Sequence, residues 1–224
     1  MQVDRVTGLP DSTLRVVGLK LKKHDLYNCV YYCAIYSPYV INIHLGSNNI
    51  DNDGVLVLID CEGLGTITGQ INLTNNNIGF KGAISIAKAL SFTWVCNSLC
   101  LAFNKIGDIG VRAIAKALIK NTTLKTLSIC NNSCSFDALN FLIDTIIEHN
   151  TSLITLYFYN DSLEGYQFNI IRYRFSAHRS NVEKKQFLMA FMLCVETFVP
   201  NINTLITFYI NTFFDTFFKM YLSN

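Results

Sequence analysis

The side chains of this sequence that are most able to do chemistry are its eight cysteines and four histidines. Six of the cysteines form CxxxC pairs: Cys29/Cys33, Cys96/Cys100 and Cys130/Cys134. A zinc site needs a neighbouring CxxC or HxxxH set to complete its ligands, and none accompanies these pairs. The histidines are far apart, and none stands in a nucleophile motif: His24, His44, His149 and His178. The sequence therefore predicts structural thiols, no metal, no cofactor and no catalysis, with a metal or redox site as the alternative.

A second chemically capable set is a column of asparagines with a constant step of 28 residues: Asn48, Asn76, Asn104 and Asn132. Asp161 continues this Asn column after a step of 29. A side-chain amide donates and accepts hydrogen bonds, so a buried asparagine can satisfy backbone groups that a turn leaves unpaired. Because Asp161 can only accept, we expect the fifth turn to be held less well. The Asn column therefore predicts a structural role that recurs along the chain.

Apolar residues repeat with the same step on both sides of the Asn column. Five positions before it stand Ile43, Ile71, Leu99, Leu127 and Leu156, and three before it Leu45, Leu73, Leu101, Ile129 and Phe158. Two positions after it stand Ile50, Ile78, Ile106, Cys134 and Leu163. Each unit reads LxxLxLxxNxI, and the alternation around its central leucines is typical of a strand with one buried face. One such strand buries little, so the units must stack to form a continuous core.

This pattern resembles the leucine-rich repeat. The period of 28 or 29 residues and the GxxGxxxIAxAL stretches at 79–90 and 107–118 are similar to those of the ribonuclease-inhibitor-like subfamily. The resemblance implies the α/β class. It implies a right-handed β-α leucine-rich-repeat solenoid, a horseshoe arc with parallel strands on the concave face and helices outside.

The repeat predicts where the secondary-structure elements lie. Strands are expected near 43–46, 71–74, 99–102, 127–130 and 156–159, and helices near 80–90, 108–120 and 135–149. The helix of the first copy should be short, because three glycines fall within residues 61–69 and glycine disfavours a helix interior.

The fit to the period divides the chain into three parts. Residues 1–39 are predicted to be a degenerate N-terminal repeat or cap, whose strand would carry Leu14, Val17 and Leu19, with Lys22 in the Asn column. Residues 40–164 are predicted to be five leucine-rich repeats. Residues 165–224 form a non-repeat hydrophobic C-terminal segment that holds ten of the 16 phenylalanines.

The C-terminal segment is predicted to cover the open end of the last repeat, because a solenoid needs its terminal face covered. Residues 187–199 are expected to be a helix that does so, and 201–222 to remain partly exposed. The charges of Glu196, Asp215 and Lys219 disfavour a membrane span. Membrane association through 187–222 is an alternative, and a gene-model artefact is another.

Composition restricts the possible partners and the compartment. The formal net charge is +2, and 15% of the residues are charged. This balance argues against a protein that binds nucleic acid electrostatically. The N-terminal sequence has no apolar run behind a basic head, so no secretory signal is expected. A reduced, cytoplasmic location fits these observations.

The resemblance implies a protein partner that is bound on the concave strand face. Positions four and two residues before the Asn column alternate with the buried leucines and are predicted to face outward on that surface. These residues are His44, Asn72, Thr74, Cys100, Ser128, Tyr157 and Tyr159. Tyrosine is a common interface anchor, so Tyr157 and Tyr159 are the leading candidates. Packing of the two tyrosines against the C-terminal segment is the alternative. The predicted function is a non-catalytic protein-protein interaction module.

Two other functions are compatible with the same repeat. The chain could be a fragment of a larger NOD-like or effector-type regulatory protein, although it contains no nucleotide-binding motif. It could also be a GTPase-activating protein for Ran, a family with a similar repeat, an arginine in an early repeat and a long acidic tail. No acidic tail follows here, and Arg112 falls on the predicted helix side.

Overall fold

Six short strands form one parallel sheet in the part of the chain that the structure describes. The computed structural model describes residues 13–21, 25–28, 31, 41–60, 65, 67–159, 167 and 169–183. The strands are β1 (Thr13–Arg15), β2 (Asn42–His44), β3 (Gln70–Asn72), β4 (Ser98–Cys100), β5 (Thr126–Ser128) and β6 (Thr155–Tyr157). They lie in chain order, and each pairs in parallel with the next. This confirms an α/β solenoid of the leucine-rich-repeat kind.

The strands β2 to β6 are shorter than the sequence pattern predicts, and each begins one residue earlier. In β2 to β5 the middle residue is buried and its two neighbours are half-buried, as an inward apolar residue between outward polar ones requires. Cross-strand bonding continues just past the strand ends: the Leu73 amide donates to the Cys100 carbonyl at 2.8 Å. The chain then turns, and the third residue after each of β2 to β5 has a left-handed backbone.

After each of the strands β2 to β5 comes a helix that packs on the buried side of the sheet. The helices are α1 (Asn52–Asp60), α2 (Phe80–Phe92), α3 (Gly107–Leu118) and α4 (Phe136–His149). The last three match the predicted helices within two residues at each end, and α1 is the short helix expected in the first copy. Their buried faces consist largely of alanine, leucine and isoleucine, and they enclose one hydrophobic core with the strands.

Close approach of neighbouring helices depends on glycine in the first turn. A Cβ atom on Gly110 would lie 2.8 Å from the Cβ of Ala83 in the preceding helix. Any larger residue would therefore push α3 away from α2. The helix starts are also joined across copies, since the Asn52 carboxamide oxygen accepts from the Gly79 and Gly82 amides at 2.9 and 2.8 Å. These bonds satisfy amides that the first turn of α2 leaves unpaired.

The register of the N-terminal strand differs from the predicted one. Leu14 pairs with Ile43, which places Leu19, and not Lys22, opposite Asn48. The Leu19 amide donates to the Asn48 side-chain oxygen at 2.9 Å. The step into the first full copy is therefore 48 − 19 = 29 residues rather than 26. The register was predicted incorrectly because Leu19 was assigned to the strand. In the structure Leu19 occupies the Asn-column position, and its side chain is exposed.

The last repeat is covered by a helical segment that the sequence reading did not identify. Residues 169–178 are helical. Ile171 is fully buried in the core, and Phe175 packs against that core. Arg174 donates to the side chains of Asn140 and Asp144 on α4. We refer to 169–178 as the covering helix.

Several sequence-based expectations fall on residues that the structure does not describe. The segments 187–199 and 201–222, together with Lys22, Asp161 and Leu163, lie outside the described residues. The chain divides into two units, Met1–His178 and Arg179–Asn224. In the second unit residues 179–183 are helical, and Arg179 forms an ion pair with Glu183 at 2.8 Å. Within the described ranges, no helix has the length and apolarity needed to cross a membrane.

Candidate functional site

The parallel register brings most of the predicted partner residues into one row across the sheet. Successive strands place these residues side by side: Arg15, His44, Asn72, Cys100, Ser128 and Tyr157. Thr74 and Tyr159 stand two residues beyond Asn72 and Tyr157, so alternation puts them on the same side. We call this surface the strand face. Arg15 is the member that sequence reasoning missed, because the N-terminal register was predicted incorrectly.

A chain of hydrogen bonds fixes the polar side chains at the N-terminal end of the strand face. The Arg15 guanidinium lies 3.2 Å from His44 Nδ1, and His44 Nε2 lies 2.7 Å from Gln70 Oε1. Arginine can only donate, so Nδ1 accepts and Nε2 carries the proton. Gln70 Nε2 then donates to Cys100 Sγ at 3.3 Å and to Ser98 Oγ at 3.5 Å. Both nitrogens of His44 are thereby engaged in orienting its neighbours.

The thiols of Cys100, on the strand face, and Cys96, beneath it, are poor nucleophiles. Burial raises the pKa of the Cys100 thiol, and the hydrogen bonds with Gln70 and Ser98 offset this only in part. Burial also raises the pKa of Cys96, in the core, to about 12. A protonated thiol is neither a good nucleophile nor a metal ligand. Within the described ranges, no three His, Cys, Asp or Glu side chains cluster as a metal site would need.

Two tyrosines dominate the C-terminal end of the strand face. Tyr157 and Tyr159 are 55% and 56% exposed. The alternative of packing against the C-terminal segment stays a prediction, because most of residues 165–224 lie outside the described residues. Tyr157 pairs with Ser128, and the Tyr159 carbonyl accepts from the Asn131 amide at 2.8 Å. The neighbouring residues toward the N-terminus are small, so both rings stand above the surface around them. This arrangement offers two adjacent aromatic side chains on a rigid sheet.

The Asn column lies beneath the turns that follow the strands. Asn104 is buried, and its Nδ2 lies 3.0 Å from the carbonyls of both Leu101 and Leu73. Its Oδ1 accepts from the Ile78 amide at 3.0 Å. Asn76 and Asn132 repeat this set of contacts, and Asn48 donates to the Val16 carbonyl. Each asparagine thus joins its own turn to the preceding copy.

A second pair of structural asparagines follows the helices and was not identified from the sequence. Asn121 Nδ2 donates to the Leu90 carbonyl at 2.7 Å, and its Oδ1 accepts from the Leu124 amide at 2.9 Å. Asn150 does the same with Leu118 and Leu153. The signal was present, because both asparagines begin an N-T-[ST]-L stretch with a step of 29.

The turns after the strands carry a second exposed feature, which we call the turn edge. The residue before each Asn-column position has a left-handed backbone, with φ between +52° and +74°, at Gly18, Ser47, Asn75, Phe103 and Asn131. Phe103 is the only bulky side chain of this set and is 54% exposed. A polar groove lies beside it, lined by Ser47, Asn49, Asn75, Asn76, Asn77 and Lys105.

The helix side carries an arginine whose environment is structural. The Arg112 guanidinium lies 4.9 Å from the centre of the Phe141 ring on α4. This stacking joins two neighbouring helices on the surface opposite the strand face. The position of Arg112 on the helix side therefore agrees with the sequence pattern.

The fold and these surfaces define a leucine-rich-repeat-like solenoid, and comparisons with known proteins agree at the level of the fold. No protein-family model matches the chain, and no curated protein matches it in sequence. Among solved structures, it is similar to "Leiomodin-1 Actin-Binding Site 2 (ABS2)", with a TM-score of 0.61 and 21% identity over 75% of this chain and 95% of that one. A second is the C-terminal domain of tropomodulin from Caenorhabditis elegans, with a TM-score of 0.44 and 11% identity over 80% and 88%.

Proposed function

We propose that the chain is a non-catalytic module that binds a protein partner on its strand face. One observation carries the proposal: Tyr157 and Tyr159 are more than half exposed at the end of the strand face, next to the small residues Ser128 and Cys130. Tyrosine presents a large apolar area and a hydroxyl at a low entropy cost, which is why it is enriched among interface hot spots.

The hydrogen-bonded N-terminal end of the strand face supports recognition rather than chemistry. His44 is oriented by Arg15 and Gln70, and the Cys100 thiol is kept protonated by burial. A partner would therefore meet fixed donors and acceptors instead of a reactive group. Fixed polar groups lower the ordering cost of binding.

Actin is the first partner to test. The similar solved structure is titled an actin-binding site, and the likeness covers 95% of that chain. At 21% identity the likeness itself concerns the fold. Actin is therefore a candidate that the binding experiment must establish independently.

We also propose the ribonuclease-inhibitor-like subfamily and a cytoplasmic location for the module. The subfamily is supported by the period of 28 or 29 residues and by a helix in each of the regular copies. The location is supported by the thiols of Cys96 and Cys100, which carry no disulfide. In the domain division that we propose, residues 1–39 are a degenerate repeat, 40–164 the repeats and 165–224 a non-repeat segment.

The test compares a double variant of the strand face with a matched control. Binding of purified actin, as monomer and as filament, is measured with the full chain, and a pull-down with the same chain identifies other partners. The double variant Tyr157→Ala/Tyr159→Ala should weaken binding at least about 10-fold, as removal of hot-spot aromatics does. Tyr173→Ala is the control, because Tyr173 is 76% exposed but lies on the covering helix. A partner that binds the double variant as tightly as the native chain contradicts the proposal.

A further inference from the structure

Phe103 occupies a position that its own copies fill with small or turn-forming residues. The equivalent residues are glycine, serine and asparagine, and all have left-handed backbones. Glycine and asparagine tolerate this conformation, whereas a bulky side chain is strained in it. At Phe103 φ is +57°, and the backbone amide is held by the Cys130 carbonyl at 2.8 Å. The fold thus imposes a strained backbone on an aromatic ring that is 54% exposed.

The strain is not offset by complete burial of the ring. Strained conformations that persist in a rigid framework occur frequently at binding sites. An exposed ring on a rigid turn is also a good anchor, since it loses little conformational freedom when it is covered. Phe103 therefore carries the features of a contact residue.

The polar groove begins next to Phe103 and crosses three consecutive copies. Asn75 lines the groove, and its backbone amide donates to the carbonyl of Ala102 at 2.9 Å. Ala102 is the residue before Phe103. Lys105, which also lines it, follows Phe103 by two residues and is exposed. Neighbouring strands are about 4.8 Å apart, so three copies span roughly 10 Å, the length of about three extended residues.

The lining of the groove matches the hydrogen-bonding groups of an extended peptide. Asn49 and Asn77 are exposed, and within the described ranges their side chains make no hydrogen bond. A carboxamide donates and accepts, as a peptide unit does. Lys105 adds one positive charge at the end of the groove near Phe103, and no described side chain forms an ion pair with it. A carboxylate is the natural counterpart of that amine.

From this arrangement we propose that the turn edge is a second interaction surface, which binds a short extended peptide segment of a protein partner. The peptide carries an acidic residue for Lys105 next to an apolar residue that covers the Phe103 ring. Its backbone lies along the asparagine-lined groove. This surface differs from the strand face and does not depend on the binding of a partner there.

The experiment uses a phage-displayed library of random 12-residue peptides. The library is panned on the full chain and depleted on the double variant Phe103→Asn/Lys105→Gln, and the surviving peptides are synthesised. They should share an acidic residue beside an aromatic or aliphatic one. Phe103→Asn should weaken their binding at least about 10-fold. Lys105→Gln should weaken it about two- to fivefold and reduce its dependence on salt.

Matched controls separate binding from folding. Asparagine occupies the left-handed position at Asn75 and Asn131, so the Tm of Phe103→Asn should stay within about 2–4 °C of the native value. Phe92→Asn and Lys120→Gln are the controls on the helix side, because Phe92 is also exposed and the Lys120 amine lies 5.3 Å from its ring centre. These two variants should leave peptide binding unchanged.

Each outcome bears on the proposal. Loss of binding in Phe103→Asn at an unchanged Tm, with no effect of the helix-side variants, supports it. Failure to select any peptide overturns it, and so does a set of peptides without acidic residues. If the library yields only peptides that the double variant Phe103→Asn/Lys105→Gln also captures, the proposal is overturned as well, and loss of their affinity in Tyr157→Ala/Tyr159→Ala would support recognition by the strand face.

Discussion

At the scale of single residues, the same side-chain type performs two different tasks in this chain. Asn104 and Asn132 of the Asn column are buried and use their amides on backbone groups of two adjacent copies. Asn49 and Asn77, which line the groove at the turn edge, are exposed and have amide groups available to a partner. The difference comes from position within the repeat, since the residue one place earlier or later in the turn faces solvent.

Asn104→Ala tests the buried task. The substitution removes an amide that accepts from Ile78 and donates to Leu73 and Leu101. It should lower the free energy of unfolding by about 1–3 kcal/mol, because the buried partners lose their hydrogen bonds. Chemical denaturation measures the loss. Asn77→Ala is the control, since that side chain is exposed, and an equal loss in both variants would argue against the assigned role.

The buried thiol of Cys96 predicts a pH dependence of stability. Burial raises its folded-state pKa from the ordinary value of 9.0 to about 12, so the unfolded chain loses the proton first as the pH rises. The stabilisation from the protonated thiol is complete below pH 9 and is lost between pH 9 and 12. The free energy of unfolding should fall by about 1.4 kcal/mol per pH unit in this window through this group.

Cys96→Ala provides the comparison for that pH dependence. The variant should be less stable at neutral pH, because a buried side chain is truncated. Its unfolding free energy should decline less steeply above pH 9 than that of the native chain. Parallel curves for the two proteins, measured by denaturant titration at several pH values, would show that Cys96 does not titrate as described.

At the scale of elements, the covering helix is an amphipathic helix that the sequence analysis did not predict. Ile171, Phe175 and His178 have helical spacing, and the first two contact the core. Three arginines and a histidine between 172 and 179 make this stretch polar, whereas 187–199, which the sequence analysis predicted as the covering segment, is strongly apolar. A covering helix needs only one apolar face, because its other face meets water.

Ile171→Ala tests the contribution of the covering helix. Ile171 is fully buried, so the truncation should cost about 2–4 kcal/mol of unfolding free energy. Ile170→Ala is a matched control one residue earlier, since Ile170 is 43% exposed. The control should cost well under half as much. Equal Tm values for Ile171→Ala and the native chain would mean that the covering helix does not stabilise the last repeat.

Truncation tests the proposed division of the chain at the same scale. A chain cut after Gly165 loses the covering helix and exposes Leu153, Leu156 and Phe158, which are buried in the native protein. It should melt at a lower temperature than the full chain. A chain cut after Pro200 keeps the covering helix and should retain the fold. An unchanged Tm after the cut at 165 would make the C-terminal segment an appendage.

At the scale of the whole molecule, the repeat made most of the architecture predictable. Five phased copies determine the strand order, the parallel direction and the inward residues, because each copy must pack on the next in the same way. The N-terminal register was wrong because Leu19 stands where asparagine belongs, and no later copy shares that change. The contact of Arg15 with His44 could not be predicted, since it depends on that register.

The turn edge was also beyond sequence reasoning, for a different reason. The position before the Asn column carries no constant residue, and its left-handed backbone is visible only in the structure. The sequence analysis therefore assigned no role to Phe103. The positions of Tyr157 and Tyr159 on the strand face, in contrast, followed directly from their spacing to the Asn column.

The central claim, that a protein partner binds the strand face, is tested most directly by site-specific photo-crosslinking in the full chain. A benzophenone side chain is introduced in place of Ser128, beside Tyr157 on the strand face, and separately in place of Lys88, which is exposed on α2. The account predicts that the partner crosslinks at position 128 and not at position 88. A partner that crosslinks at position 88 and leaves position 128 unmodified would contradict it.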